Sequence, residues 1–435
     1  MRTVEMDRPP LHGELPEPDV HQQRGKVHFR DTFRALRHRN FRLFFTAQLI
    51  SLIGTWMQQT AMSWLVYQLS NSKFLLGAVA AAGSAPMILF SMWGGSLADR
   101  HPKRRILMVT QSAEMLLAFV LAAAVWAGAA TPLVIIMISL MGGVALGFEM
   151  PTRQSFTIEL TGKDDLLNAI SLNSSVVNGA RVVGPALAGV LIGSVGPALC
   201  FFLNGLSYIA VLVALSMMRL PKHVPVSTGA VSPGRHALDG LAYVAKHVRV
   251  RTILALFGIV GIFGWSYVVL MPAFARDVMG LGAHGYGLLM SASGGGALVG
   301  ALAVATAGHL VVPRKLALGG VWMFSSALLV FAASRNIYLA LACLTLSGFG
   351  MMLFFSTSNT VLQTIVPDEM RGRVMGVWSL VFGAMIPLGS LEAGTLANWT
   401  GVPITIAFGA LVCAVAAVVT LWIVRRRDAA LGLKK

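Results

Sequence analysis

Four ionisable residues stand inside long apolar stretches of the chain: Glu114, Glu149, Arg153 and Arg181. Charge in such surroundings is costly and usually marks an ion pathway or a proton relay. Glu149 lies ten residues before Glu159, about 15 Å along a helix. Arg153 falls one turn further on the same face, so an intrahelical pair is expected. Arg181 sits near the middle of the next apolar stretch. One reading pairs Glu149 with Arg181, with Arg153 nearby. Burial favours the neutral carboxyl and a guanidinium favours the charged one, so a shift in that balance would load and release a proton. The other reading is a permanent ion pair that holds two helices together. Glu114 is a second proton candidate, or a packed carboxyl with a local partner.

A second constellation reads Gly95-Ser96-Leu97-Ala98-Asp99-Arg100-His101-Pro102-Lys103-Arg104-Arg105. Asp99 stands there among four basic residues, and Glu159 ends a later stretch on the same side. A carboxylate so placed can accept charge-assisted hydrogen bonds from a basic side chain or a helix N-terminus of a neighbouring unit. A bond made in one conformation only would bias a two-state equilibrium. Plain orienting charge accounts for the arginines, but not for an aspartate within that frame.

A third set is polar and uncharged. Gln48, Ser51, Thr55, Gln58 and Met62 recur at spacings of three and four, on one helix face. Asn359 and Gln363 repeat the pattern later, beside Ser356, and Trp265 stands between Phe263 and Tyr267. Lipid offers amides no partner, so these faces are expected to line a cavity. Such a lining suits a large amphipathic organic molecule better than a bare ion. The tryptophan and tyrosine could equally form an interfacial belt.

The elements that must carry these residues follow from composition. The chain has 435 residues, 56% hydrophobic and only 12% charged, and a mean hydropathy of +0.71. Average soluble domains carry about 25% charge. A soluble enzyme, a nucleic-acid binder and a disordered scaffold are therefore excluded. Twelve apolar stretches are long enough to cross a bilayer: 43–68, 74–98, 105–127, 133–158, 166–193, 197–219, 251–274, 284–308, 316–334, 337–365, 374–397 and 402–424. Strand alternation is absent, which excludes a β-barrel. Prolines 86, 151, 185, 272 and 387 fall inside these stretches and are expected as kinks. The fold class is all-α integral membrane.

The net charge of +16 then reads as topology. Arg100, Lys103, Arg104, Arg105, Arg219, Lys246, Arg249, Arg314, Lys315, Arg371, Arg373 and Arg425–Arg427 occupy one set of loops and the tail. The other set holds Lys73, Arg276 and Arg335. This asymmetry predicts both termini in the cytoplasm and no nucleic-acid partner. No apolar run precedes Phe41, so no cleavable signal peptide is expected. Residues 1–40 read as a cytoplasmic tail, partly disordered and basic near its end, with a short surface helix suggested around Phe29, Phe33 and Leu36. Residues 427–435 form the other tail.

The longest internal polar stretch, 220–250, divides a bundle at 41–219 from one at 251–426. It carries an amphipathic segment from His236 to Val250. At an offset of 210 residues Gly77 falls on Gly287, Asp99 on His309 and Arg104-Arg105 on Arg314-Lys315. Two like six-helix halves imply substrate binding between halves that rock. The three cysteines, Cys200, Cys343 and Cys413, lie inside spans without metal spacing and read as packing residues.

The Asp99 frame resembles the signature of the major facilitator superfamily, with Pro102 in place of its second glycine. Gly184-Pro185-Ala186-Leu187-Ala188-Gly189 resembles the Gly-Pro motif of that superfamily's antiporters. Pro151-Thr152-Arg153-Gln154, Asn168-Ala169, Arg181-Val182-Val183 and Pro367–Arg373 are similar to enterobactin exporter-like and macrolide-efflux-like carriers. The resemblance covers residues 30–425. It implies proton-coupled efflux of drugs or siderophore-like molecules across the cytoplasmic membrane of a bacterium, with Asp99 as a latch of the outward-facing state. A lipid or lysolipid flippase on the same fold, or a transport-dead sensor, are the alternatives. No phosphate loop, His-Glu-x-x-His or Gly-x-Ser-x-Gly motif is present, so ATP drive and enzyme activity are not expected. No cofactor is expected, and the unit is expected to be a monomer.

Overall fold

The computed structural model describes residues 34–162, 165–220 and 233–430. Every regular element in them is helical. The chain runs through α1 (Arg39–Ser70), α2 (Lys73–Arg100), α3 (Lys103–Trp126), α4 (Pro132–Thr161), α5 (Leu166–Ser194), α6 (Pro197–Met217) and α7 (Pro233–Lys246). It continues through α8 (Val248–Gly264), α9 (Ser266–Ala273), a π-turn (Phe274–Val278), α10 (Ala283–Ala307), α11 (Pro313–Ala333), α12 (Ile337–Ile365), α13 (Asp368–Thr400) and α14 (Val402–Ala430). Capping residues punctuate the short turns. Ser72 Oγ accepts from Leu75 N–H at 3.3 Å, and Asn336 Oδ1 accepts from Tyr338 N–H at 2.9 Å.

Eleven helices are long and apolar enough to cross a membrane, with α8, α9 and the π-turn counted as one. The chain is a multi-pass membrane protein. The 32-residue α1 falls short of that apolarity because it carries the polar stripe from Gln48 to Gln58. The expected kink prolines all lie inside helices. The seventh stretch is the one that breaks. Pro272 cannot donate to the carbonyl of Val268, and the helix is interrupted at Trp265 and winds into the π-turn after Ala273. The described part of the polar connector carries the helix α7, which ends at Lys246, and α8 starts at Val248, three residues before the anticipated span. Phe29 and Phe33 lie outside the described residues, and residues 34–37 form one 3₁₀ turn.

The packing order is duplicated. In the first half α1 packs on α5 and α6, α3 on α4 and α6, and α2 on α4. In the second half α8 packs on α13 and α14, α11 on α12 and α14, and α10 on α12. The halves meet through α5 against α10 and α2 against α13. The offset pair Gly77 and Gly287 holds equivalent places at these two seams. A Cβ on Gly77 would lie 2.2 Å from the carbonyl oxygen of Ser390, and one on Gly287 would lie 2.5 Å from that of Pro185. Glycine is needed there because backbone faces backbone.

The basic loops gather at one end of the bundle. The halves touch at the other. Tyr67 donates to the Asp277 carboxylate, Arg276 Nη1 donates to Asn71 Oδ1 at 2.9 Å, and Trp64 stacks on Tyr286 at 5.7 Å. One apolar core runs across both halves there, from Tyr67, Leu76 and Ala188 to Leu270, Tyr286 and Ala393. At the basic end the first half has a separate core around Phe41, Phe44, Leu107 and Phe156. A groove of about 320 Å³ lies between α2 and α13 on that side, lined by Met87, Met92, Arg373 and Ser379. Among the described residues no hydrogen bond or ring contact joins the halves at the basic end.

Candidate functional site

The buried charges of the first half form a seam between helices. Glu149, 2% exposed, is paired with Arg153 one turn along α4. With its amide oxygen turned toward α4, Gln48 accepts from Arg153 Nη1 at 3.2 Å and Nε at 3.3 Å. Nearby, Tyr208 on α6 donates to Glu114 Oε2 at 2.6 Å. Asn204 Nδ2 donates to Gln58 Oε1 at 2.9 Å, and Ser207 Oγ donates to the Asn204 carbonyl at 2.7 Å. Polar groups at this depth must satisfy one another, since lipid cannot.

The stripe on α1 therefore faces inward, not into open space. Gln48 and Ser51 are buried, Thr55 donates to the Ser51 carbonyl at 3.0 Å and lies beside Tyr208, and Met62 Sδ accepts from Ser139 at 3.5 Å. Gln48 and Ser51 thus belong to the polar interior of the first half, while Thr55, Gln58 and Met62 are half-buried. Gln59, flanking the stripe, is exposed. In the second half Gln363 Nε2 donates to Asn359 Oδ1 at 2.9 Å near the basic end of α12.

The anticipated Glu149–Arg181 pair is not formed. Glu149 is taken by Arg153 within its own helix. Arg181 on α5 lies over two indole rings, 5.5 Å from the centroid of Trp56 and 5.2 Å from that of Trp265. Trp56 belongs to the first half and Trp265 to the break in the second. Both rings and Arg181 are half-buried. Among the described residues Arg181 makes no ion pair.

The Gly184–Gly189 motif divides its labour. Gly184 lets α5 meet α1, since a Cβ there would lie 2.6 Å from Trp56 Cβ. Pro185 and Gly189 seat α5 against α10 across the halves, and Ser291 Oγ on α10 donates to the Val182 carbonyl at 2.8 Å.

At the basic end Gly95 to Arg100 are helical and close α2, because no breaker intervenes before Pro102. Gly95 meets nothing within 4 Å, and its neighbour Gly94 is the one that seats α2 on α4, with a would-be Cβ 2.6 Å from the Gly147 carbonyl oxygen. Lys103 Nζ reaches Glu159 at 3.2 Å. Arg104 Nη2 donates to the Ser216 carbonyl at 3.0 Å and so closes the end of α6. Asp99 is exposed and makes no hydrogen bond or ion pair among the described residues, and no contact of Arg100 or Arg105 ties them to the other half.

Sequence reasoning missed four features. Tyr208 and Asn204 lie one turn apart in an otherwise apolar helix, and that spacing is a legible signal. Trp56 and the Tyr67–Asp277 contact carry none. The fourth is a clasp on the basic end of α5. Arg34 and His38 both bond Asp165, His38 Nε2 at 2.8 Å, and Asn168 Oδ1 accepts from Ala35 N–H at 2.9 Å. The hydrogen bonds from His38 and Arg34 hold the Asp165 carboxyl below its ordinary value of 3.8. A depressed carboxyl contributes stability above its unfolded value and loses it as pH falls through the folded one. Acidification below pH 3.8 is thus expected to release residues 34–38 from α5. A spin-label distance between Leu36 and Ile170 would report it, and no change down to pH 2 would contradict it.

Residues 30–431 match a family described as transmembrane secretion effector. The chain is 27% identical over 368 residues to the staphyloferrin A transporter of Staphylococcus aureus, covering 82% of this chain and 90% of that one. It is 28% identical over 410 residues to the multidrug efflux pump Tap of Mycolicibacterium fortuitum, covering 90% and 97%. It is 27% identical over 344 residues to the enterobactin exporter EntS of Citrobacter koseri, covering 79% and 81%. A mutant form of the nucleoside transporter NupG superposes with a TM-score of 0.75 at 11% identity, covering 88% of this chain and 98% of that one. An inward-facing bacterial homologue of the human lysosomal transporter Spinster superposes with a TM-score of 0.71 at 13% identity, covering 89% and 97%. At those identities the structural likeness is one of fold.

Proposed function

The chain belongs to the transmembrane secretion effector family of the major facilitator superfamily, and from that premise we propose that it exports amphipathic organic compounds across a bacterial cytoplasmic membrane, by alternating access and in exchange for protons. The protein is a transporter and not an enzyme. Siderophore-like molecules and drugs are the cargo classes its relatives point to. Twelve spans are assigned, with α1 as the twelfth, since its polar face is turned into the first half and lipid meets only the rest. The basic end is the cytoplasmic one, with both termini on that side. The unit is one chain, with bundles at 41–219 and 251–426.

The observation that carries this reading is the asymmetry of the two ends. The halves are locked at the external end by glycine seams and by the Tyr67–Asp277 contact, and among the described residues no hydrogen bond or ring contact joins them at the cytoplasmic end, where a groove of about 320 Å³ lies between α2 and α13. That is the arrangement of a carrier open to the cytoplasm, where an exporter takes up its cargo. The Glu149–Arg153 pair and the Glu114–Tyr208 bond are the proton-handling groups. The unpartnered Asp99 is a latch released in this state, ready to bond across the halves when the cytoplasmic end closes.

The test is transport by purified protein in proteoliposomes. Rhodamine 6G presented on the cytoplasmic face should move against its gradient when an opposing pH gradient is imposed, with proton release read by a trapped pH dye. Dye movement without proton movement would remove the exchange, and movement of labelled lysolipid alone would favour a flippase. Replacing Asp99 with Asn is expected to slow turnover about tenfold, from loss of roughly 1–2 kcal/mol of charge-assisted bonding in the outward state. Its readout is the initial rate, with the cytoplasm-open population rising in spin-label distances. Wild-type rates with unchanged populations would remove the latch.

A further inference from the structure

Among the described residues, the other three charges deep within the first half have hydrogen-bonding protein partners: Arg153 has Glu149 and Gln48, and Glu114 has Tyr208. Arg181 is the exception. It stands near the midpoint of α5, half-buried, with aromatic rings on two sides and no carboxylate. A cation at that depth is rare unless it serves a pathway. Indole faces stabilise a guanidinium but accept none of its hydrogen bonds through nitrogen or oxygen, so its fork of N–H donors stays available.

We infer that Arg181 is the recognition group for an anionic substituent of the cargo, so that amphipathic organic anions are among the substrates. This rests on the transport reading above. A carboxylate, sulfonate or phenolate fits the fork in bidentate fashion, while the apolar part of the molecule lies along Trp56 and Trp265. The placement also ties binding to movement. The two rings belong to opposite halves, and Trp265 sits at the break between α8 and α9. An anion that draws the guanidinium to itself loosens a contact between the halves at mid-depth.

Two dyes of one ring system test this by equilibrium binding, read as fluorescence anisotropy on the full chain in phosphatidylcholine nanodiscs. Fluorescein carries the anion and rhodamine 6G the cation. Wild-type protein is expected to bind fluorescein, Arg181→Gln to bind it at least tenfold more weakly, and Arg181→Lys to fall between. Rhodamine 6G binding should change less than twofold in both variants, which also shows that they are folded. Equal losses for both dyes, or no loss of fluorescein binding in Arg181→Gln, would overturn the inference. So would a wild-type protein that binds only rhodamine 6G. Fluorescein binding abolished by phosphatidylglycerol in the disc would make a lipid headgroup the occupant and overturn the cargo assignment. Arg181-dependent binding without vesicle transport would leave the anion site standing and sink the transport reading instead.

Discussion

Glu149→Gln is expected to abolish uphill efflux while leaving cargo binding and downhill exchange in place. A proton exchanged under one pH unit supplies about 1.4 kcal/mol, enough to hold about a tenfold cargo gradient. A carrier that cannot load the proton loses that gradient, so steady-state accumulation in vesicles should fall by about tenfold per pH unit imposed. Glutamine keeps the size of the side chain and one acceptor for Arg153, but it cannot ionise. The permanent ion-pair reading predicts something else. Removing one partner of a buried pair costs about 3–5 kcal/mol, because the remaining charge is left uncompensated. Gln48 blunts that cost for Arg153, since its amide oxygen already accepts from the guanidinium. The double variant Glu149→Gln with Arg153→Gln separates the two. If the pair is structural, neutralising both recovers thermal stability and transport together. If Glu149 carries the proton, stability recovers and uphill transport does not. Wild-type accumulation in the single variant would end the assignment.

Gly77→Val should drive the protein out of the conformation described here. A Cβ on Gly77 would stand 2.2 Å from the carbonyl oxygen of Ser390, 3.1 Å from its carbonyl carbon and 3.2 Å from the Gly394 Cα. All three are backbone atoms, so no side-chain rotation relieves the clash. Overpacking of this kind costs about 1–3 kcal/mol. On the alternating-access reading proposed above, the clash exists only while this end is closed. The penalty thus falls on one state of the cycle, and about 2 kcal/mol moves the equilibrium about thirtyfold. Spin-label distances between the external ends of α2 and α13 should lengthen, and efflux should fall because the cytoplasm-open state is starved. Gly287→Val should act alike through the other seam, where Pro185 and Gly189 face it. Gly142→Ala is the control, since nothing lies within 4 Å of its would-be Cβ. Unchanged distances in Gly77→Val would show that the seam does not hold the external end shut.

The Asp99 frame shows how far a motif can be read alone. Its residues announce a family and place a carboxylate beside a basic cluster. The contacts assign Lys103 to Glu159 and Arg104 to the end of α6, and leave Asp99 without a bond in this state. A latch that forms in another conformation leaves no contact in this one.

What the sequence by itself determined is local in origin. Helix lengths follow from a 1.5 Å rise per residue against the thickness of a bilayer, and the sided charge from the cost of carrying basic residues through it. The Glu149–Arg153 pair was legible because four residues make one turn. The glycines at 77 and 287 could be matched by offset alone. What only the tertiary structure decided is how each helix is turned about its axis. The stripe on α1 meets Arg153, Asn204 and Tyr208, and Arg181 faces two tryptophans, not Glu149. Helices that are apolar nearly all round carry little signal for their own rotation. It is set by which backbones can approach closely and by which buried polar groups can find one another, and those partners can lie more than two hundred residues apart along the chain, as with Tyr67 and Asp277, 210 residues apart.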